Sequence, residues 1–69
     1  MPDLKYEIET EQEDDGRWIA EITTLPGVLA YGATRDEAIA NAEAIALRVI
    51  ADQIEARKSG ARTLSFDCA

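Results

Sequence analysis

Carboxylates are the side chains in this sequence best able to do chemistry, because the chain contains no histidine and only one cysteine. Acidic residues from a sheet and a helix can together hold two divalent ions, as a metal-dependent nuclease requires. The acids that could take those places are Glu7 or Glu9, Glu43 and Asp67. Helical spacing puts Glu43 on the outer side of its helix, away from the other acids, so we expect no metal site.

The remaining candidate for catalysis is Cys68, which has no histidine to activate it. The absence of histidine also excludes Ser–His and Cys–His nucleophile pairs and histidine metal sites. No loop is rich enough in glycine to cradle a phosphate, and the four glycines each suit a turn or a helix end. The sequence therefore predicts a protein with no catalytic residue, cofactor or metal ion, and not an enzyme.

Acidic residues are concentrated in the first half of the chain. Residues 1–37 contain ten acidic and three basic residues, residues 38–69 contain four of each, and the net charge is −7. Because nucleic-acid binding depends on basic side chains that neutralise phosphates, we expect no direct nucleic-acid binding. The acids at positions 7–15 form either a solvated surface that keeps the protein soluble or a docking surface for a basic partner.

The chain has room for one domain with a thin core. It has 69 residues, 46% of them hydrophobic, and 12 are alanines. A core of this size usually leaves only about 3–5 kcal/mol of stability, so we expect either a partner protein or a homo-oligomer, which would be a dimer or a tetramer. The lone cysteine, together with the absence of a signal peptide and of a long apolar segment, predicts a soluble, cytoplasmic protein that does not contact a membrane.

Two alternating segments on either side of Asp15-Gly16 predict a β-hairpin. In residues 4–11 and in residues 17–23, mostly apolar side chains alternate with mostly charged ones, as they do in half-buried strands. The Asp-Gly pair between them suits the positive φ of a hairpin turn. The buried face is predicted to contain Leu4, Tyr6, Ile8, Thr10, Trp18, Ala20 and Ile22, and the solvated face Lys5, Glu7, Glu9, Glu11, Arg17, Ile19 and Glu21.

A proline–glycine turn and a helix start signal follow the hairpin. Residues 25–27 read Leu-Pro-Gly, which predicts a type II turn before a short third strand at 28–32. Thr34 and Glu37 have the spacing of a capping box, in which each side chain bonds the backbone amide of the other residue. The sequence therefore predicts a helix that begins directly after Thr34.

The helix is predicted to continue to about Arg57, since no glycine or proline interrupts it, with Gly60 as the residue that ends it. At 1.5 Å per residue it is about 34 Å long, so its last two turns are expected to overhang the strands. Leu47 and Ile50 are predicted to lie off the main apolar stripe. This overhang is a candidate contact with a second protomer.

A fourth strand at 62–66 completes the predicted fold. Counting strand directions makes it parallel to the first strand, and the spatial order 3-2-1-4 requires only one crossover. The sequence therefore predicts an α+β protein with two layers, one long helix on a four-stranded mixed sheet in the order β-β-β-α-β. The two outer strands leave open edges through which copies could pair.

The residues that mark the turns and the helix resemble the HicB-like antitoxin domain over positions 4–55. The matching elements are Asp15-Gly16, Trp18, Leu25-Pro26-Gly27-Val28, Gly32-Ala33-Thr34, Glu37-Ala38 and Asn41-Ala42. The resemblance implies a partial ribonuclease H-like fold that has lost its catalytic acids. Antitoxins of this family repress their own operons through a C-terminal DNA-binding domain. We expect a single HicB-like domain over residues 1–69 here, without that appended domain and its DNA binding.

The resemblance further implies a partner, because HicB antitoxins bind HicA, a small basic toxin that cleaves mRNA. Carboxylates of the hairpin would then take the place of RNA phosphates. The residues expected to bind the partner are Glu9, Glu11, Glu13, Asp14 and Asp15, with Trp18 as an anchor. The main alternative is an orphan HicB-like homo-oligomer, a binding or regulatory module with no toxin, and the third is the metal-dependent nuclease.

Overall fold

The computed structural model describes residues 1–69 and has one helix packed on one face of a four-stranded sheet. The elements are β1 (Asp3–Gln12), β2 (Trp18–Glu21), β3 (Leu29–Gly32), α1 (Arg35–Arg57) and β4 (Thr63–Cys68). The strand order is β3-β2-β1-β4, with β1 antiparallel to β2, β2 antiparallel to β3, and β1 parallel to β4. The predicted α+β class, element order and sheet order are confirmed.

The hairpin between β1 and β2 is closed by two backbone hydrogen bonds. The N–H of Gly16 donates to the carbonyl of Glu13 at 2.9 Å, and the N–H of Glu13 donates to the carbonyl of Arg17 at 2.7 Å. Gly16 has φ of 91°, which glycine adopts without the strain that a side chain would bring. The predicted Asp-Gly turn is therefore confirmed.

The chain turns twice directly after β2, so β2 ends at Glu21 and is shorter than predicted. The N–H of Leu25 donates to the carbonyl of Ile22 at 3.0 Å, and the N–H of Val28 donates to the carbonyl of Leu25 at 3.1 Å. Gly27 has φ of 82°, as the third residue of a type II turn requires. These turns place three buried apolar side chains, at positions 22, 25 and 28, at the end of the core.

Both ends of α1 depart in detail from the prediction. The hydroxyl of Thr34 accepts from the Glu37 N–H at 3.1 Å as predicted, but the Glu37 carboxylate accepts from the N–H of Ala33, at 3.4 Å, rather than from that of Thr34. The prediction that Gly60 ends the helix is wrong, because Lys58 takes the left-handed conformation at the C-cap with φ of 55°.

Strand β3 and helix α1 approach each other closely at Gly32. A Cβ built on Gly32 would clash with the backbone of Ala38, so the contact requires glycine for lack of space. The side-chain amide of Asn41 then donates to the carbonyl of Tyr31 at 2.9 Å. Because this bond ties the helix to the outer strand, α1 lies over the β2–β3 half of the sheet.

The core is small and half of it is alanine. Its buried residues are Ile8, Ala20, Ile22, Leu25, Val28, Ala30, Ala38, Ala42, Ala46 and Ile50. The prediction that Ile50 lies off the apolar stripe is wrong, since only 3% of it is exposed. Leu47 does lie off the stripe, with 46% of it exposed. The small alanine side chains let the helix backbone lie close to the sheet, but they bury little apolar area.

Strand β4 is longer than predicted, and its helix-side face is uncovered. It extends to Cys68, and the N–H of Ala69 still donates to the carbonyl of Ile8 at 2.9 Å. Leu64 is 39% exposed and Phe66 is half-buried, stacked on the Tyr6 ring with centroids 5.9 Å apart. One helix therefore covers only part of this four-stranded sheet.

The predicted overhang of the last two turns of α1 is wrong. Strand β1 has 10 residues, which span about 33 Å. That length nearly equals the roughly 34 Å of the 23-residue helix. Ile54 in the last turns instead faces Leu4 at the start of β1 across a groove of about 140 Å³.

Candidate protein-interaction surface

The face of the sheet opposite α1, here called the open face, has no element packed on it. Side chains alternate along a strand, so the residues of β1 that do not face the helix point to this side. Register with the neighbouring strands adds one acid from β2 and one from β4. The acidic residues of the open face within the strands are Asp3, Glu7, Glu9, Glu11, Glu21 and Asp67.

A shallow groove of about 400 Å³ crosses the open face beside the hairpin. Four glutamates line it and define what we call the glutamate groove: Glu9, Glu11, Glu13 and Glu21. Thr10, Ile19 and Ala69 complete the lining. No basic residue contributes to the groove, so its charge is entirely negative at neutral pH.

Two of these glutamates are direct partners across the sheet. Glu9 of β1 is in register with Glu21 of β2, so both side chains leave the sheet on the same side. Like charges placed directly opposite on neighbouring strands destabilise a sheet. The fold therefore tolerates an unfavourable pair at the centre of the groove.

Arg17, the cation at the hairpin turn, does not line the groove. Its Nε donates to Asp15 Oδ2 at 2.8 Å, which is the only ion pair in the structure. Its guanidinium lies over the ring of Tyr31, with Cζ 4.8 Å from the ring centroid. These two contacts hold Arg17 at the turn, and the groove glutamates have no ion-pair partner.

The turn also changes the acidity of Asp15. The backbone N–H of Arg17 donates to Asp15 Oδ1 at 3.1 Å, and this bond is the main reason that the pKa of the Asp15 carboxyl lies below its ordinary value of 3.8. The Arg17 guanidinium lowers this pKa further. Asp15 therefore stays ionised to a lower pH than an ordinary aspartate.

The structure brings together only part of the predicted partner-binding set. Glu9, Glu11 and Glu13 lie together in the groove. Asp14 and Asp15 lie in the exposed hairpin turn beyond it, and the Asp15 carboxylate is already bonded to Arg17. The acidic surface therefore runs along β1 and continues around the turn, with its concave part on the strands.

The predicted anchor Trp18 lies on the other face of the sheet. It is half-buried against the hydrophobic core, and its register partner on β3 is the buried Gly32. The structure thus does not bring Trp18 together with the carboxylates. The exposed aromatic side chain of the open face is Tyr31 instead.

Three residues of the open face were missing from the predicted set, namely Glu21, Ile19 and Tyr31. A signal for two of them is present in the sequence, because pairing outward from the hairpin turn places Ile19 opposite Glu11 and Glu21 opposite Glu9. The position of Tyr31 depends on the second turn, whose two successive bends set the register of β3. Pairing the strands explicitly would have found the glutamate pair.

The acids considered for a nuclease site are divided between the two faces of the sheet. Glu7 and Asp67 are register partners on the open face. Glu43 belongs to the helix layer on the opposite side of the sheet. It was expected on the exposed outer surface of α1 but is half-buried. No group of three acidic, cysteine or histidine residues is arranged to hold a metal ion.

Comparisons with protein-family models, with curated proteins and with solved structures find no match to this chain. No helix in the structure combines the length and the apolar character that crossing a membrane requires. The fold and the surface define an α+β protein with one helix on a four-stranded mixed sheet and an acidic, concave face opposite the helix.

Proposed function

We propose that this chain is a HicB-like antitoxin domain, which neutralises a small, basic, mRNA-cleaving toxin of the HicA type by direct binding. The glutamate groove is the contact surface, and Asp14 in the exposed turn extends it. The mode of action is stoichiometric occupation of the toxin's RNA-binding surface. It requires no catalytic residue, cofactor or metal ion in this chain, and it places the protein in the cytoplasm with its toxin.

One observation supports this proposal most strongly, the opposition of Glu9 and Glu21 with no cation in the groove. A sheet face that serves only solubility gains nothing from like charges in register, and a lysine at either position would remove the repulsion. Unfavourable local arrangements of this kind concentrate at functional sites. A basic partner would turn the repulsion into attraction on both carboxylates.

The resemblance in the turn and helix motifs supports the identity of that partner. An RNA-cleaving toxin must carry basic side chains spaced to meet phosphates. Glu7, Glu9 and Glu11 recur on the open face of β1 at every second residue, about 6.6 Å apart, and present a regular row of negative charge to a basic surface. The net charge of −7 also raises the rate of encounter with a basic protein.

The test is neutralisation of a toxin that this chain captures from its native lysate at low salt. The proposal expects a small basic protein at a one-to-one ratio whose ribonuclease activity falls linearly and reaches zero at one equivalent of the chain. Partial inhibition that needs a large excess, or a captured protein without ribonuclease activity, would contradict the antitoxin function.

A second candidate is the orphan homo-oligomer, and the uncovered helix-side face of β4 favours it. Leu64 and Phe66 on that face adjoin the groove that contains Leu4 and Ile54. Sedimentation of the pure protein tests this candidate. A stable dimer or tetramer that captures no toxin supports the orphan function, whereas a monomer that binds a toxin one-to-one supports the antitoxin.

The same proposal includes a partial ribonuclease H-like fold for this chain. The element order β-β-β-α-β and the sheet order 3-2-1-4 agree with it. In that fold, Glu7 and Asp67 are surface acids of the partner-binding face and not remnants of a working metal site. Purified protein that cleaves RNA only when magnesium is added would favour the nuclease alternative.

A further inference from the structure

An apolar strip adjoins the glutamate groove on the open face. It consists of Ile19 on β2 and of Leu29 and Tyr31 on β3. Leu29 is 40% exposed and Tyr31 44% exposed, and Ile19 is half-buried. Because Ile19 is the register partner of Tyr31, the two side chains lie side by side.

The strip and the groove share the same rows of the sheet. One row runs from Glu11 through Ile19 to Tyr31, and the next runs through Glu9 and Glu21 to Leu29. Each row therefore begins with a carboxylate on the central strand and ends with an apolar side chain on the outer strand. The open face is acidic on one side and apolar on the other, with no gap between the two parts.

We propose that the apolar strip is the anchor of the docking surface and that its occupant is a basic protein whose contact face pairs apolar side chains with lysine or arginine. This inference rests on the proposed function, which it deepens by specifying the chemistry of the partner. Interfaces gain most of their binding energy from a few buried apolar and aromatic anchors, and charged rims mainly set the association rate and the specificity. The strip supplies the anchors and the groove supplies the charge.

Charge complementarity selects a basic protein over the other occupants. A second copy would bring its own Glu9, Glu11 and Glu21 against those of the first, since these acids lie in the same rows as the strip. A nucleic acid would bring phosphates to the same carboxylates. Only a partner with cations beside its apolar side chains matches both parts of the open face.

The test uses two synthetic peptides with the same composition of leucine and lysine. In one, the leucines form a single face of an amphipathic helix with lysines along one flank, and in the other the same residues are scrambled. Each peptide is titrated into the full chain at low and at moderate salt, and binding is followed through the backbone amide NMR signals. We expect the amphipathic peptide to bind at least about tenfold more tightly and to shift the signals of Ile19, Leu29 and Tyr31.

Matched variants test whether the peptide binds the strip specifically or binds exposed apolar side chains in general. Leu29→Thr together with Ile19→Thr removes two of the three anchors, keeps residue types that favour strands, and leaves the contact of Arg17 with Tyr31 in place. Leu64→Thr is the control, because Leu64 is equally exposed on an outer strand but points to the helix side. We expect the double variant to lose about tenfold in affinity for the amphipathic peptide and the control to lose less than about twofold.

Equal binding of the two peptides, or equal losses in the double variant and the control, would overturn the proposal. If the double variant loses its fold, Leu29→Thr alone is compared with Leu64→Thr. The peptides do not depend on any toxin, so this result is separate from the test of the antitoxin function. If the strip prefers the amphipathic peptide but the chain captures no ribonuclease, the antitoxin function is refuted and the proposed chemistry of the docking surface is retained.

Discussion

Glu9 and Glu21 lie directly opposite each other on β1 and β2, with no basic residue in the groove that they line. In a sheet of four strands and a core that is half alanine, a repulsive pair takes a noticeable part of a small stability. Arg17 at the hairpin turn is bonded to Asp15 and stacked on Tyr31, and neither Glu9 nor Glu21 forms an ion pair. The arrangement is typical of a surface whose charge serves binding.

Replacing Glu21 with glutamine should stabilise the isolated protein. Removing one charge of the opposed pair abolishes the repulsion, so we expect the free energy of unfolding to rise by about 0.5 kcal/mol at low salt. The gain should shrink as salt screens the remaining charges. Urea denaturation at two salt concentrations measures both effects.

Glu55→Gln is the control for this substitution, because Glu55 is exposed on α1 and forms no ion pair. It should change the stability by less than about 0.5 kcal/mol. A Glu21→Gln protein that is no more stable than wild type at low salt would show that the opposed pair carries no repulsion.

Gly32 should not tolerate even one added methyl group. A Cβ at this position would clash with the backbone of Ala38, so Gly32→Ala must push α1 away from β3. We expect a loss of about 1–3 kcal/mol in urea denaturation, as for other overpacked sites. Gly60→Ala is the matched control, since its Cβ would meet only the flexible Met1 side chain, at 3.4 Å. Equal losses at the two positions would contradict the close helix–strand contact.

The two aliphatic residues that were expected to lie off the helix stripe should respond differently to truncation. Ile50→Val removes one methylene from a residue that is 3% exposed, and it should cost about 0.5–1.5 kcal/mol. Leu47→Ala removes more atoms from a residue that is 46% exposed, yet in the monomer it should cost less than about 0.5 kcal/mol. A larger cost at Leu47 in urea denaturation would indicate that another chain buries it.

The stability that Asp15 contributes to the fold should depend on pH. Its folded-state pKa is lowered, so its ionised form stabilises the fold above the ordinary value of 3.8, and this stabilisation is lost as the pH falls through the folded-state pKa. Asp15→Asn keeps an oxygen for the Arg17 amide but removes the charge. The difference in stability between wild type and Asp15→Asn should therefore be largest at neutral pH and disappear in acid. A difference that stays constant down to pH 2 would contradict the lowered pKa.

Local chemistry made most of the fold predictable from the sequence. The turns at Gly16 and Gly27 and the N-cap at Thr34 each depend on residues within four positions of one another, and all three lie where they were expected. Once the turns were placed, strand directions left few arrangements of the sheet. The strand order was therefore predictable without knowledge of any long-range contact.

Features that depend on three-dimensional packing were not predictable in the same way. Ile50 is buried because β1 is long enough to underlie the end of α1, which helical spacing alone does not show. Lys58 ends the helix although Gly60 has the better intrinsic preference for a left-handed conformation. A tertiary contact decided the burial of Ile50, and intrinsic residue preference did not decide where α1 ends.

The candidate surface was predictable in its charge but not in its composition. Alternation along β1 places Glu9 and Glu11 on one face whatever the rest of the fold does. Trp18 was predicted to be the anchor of this surface, although its own alternation puts it on the helix side. Tyr31 could be assigned to the open face only when the register between β2 and β3 was known.

The central claim, that the glutamate groove binds a basic partner, is tested most directly by affinity capture from native lysate at low salt with three versions of the chain. These are the wild type, Glu9→Gln with Glu21→Gln, and Asp52→Asn with Glu55→Gln, which removes the same number of charges from exposed positions on α1. We predict that the wild type and the helix variant each retain one equivalent of a small basic protein and that the groove variant retains little of it. Equal retention by all three versions, or no basic protein on any of them, would contradict the account.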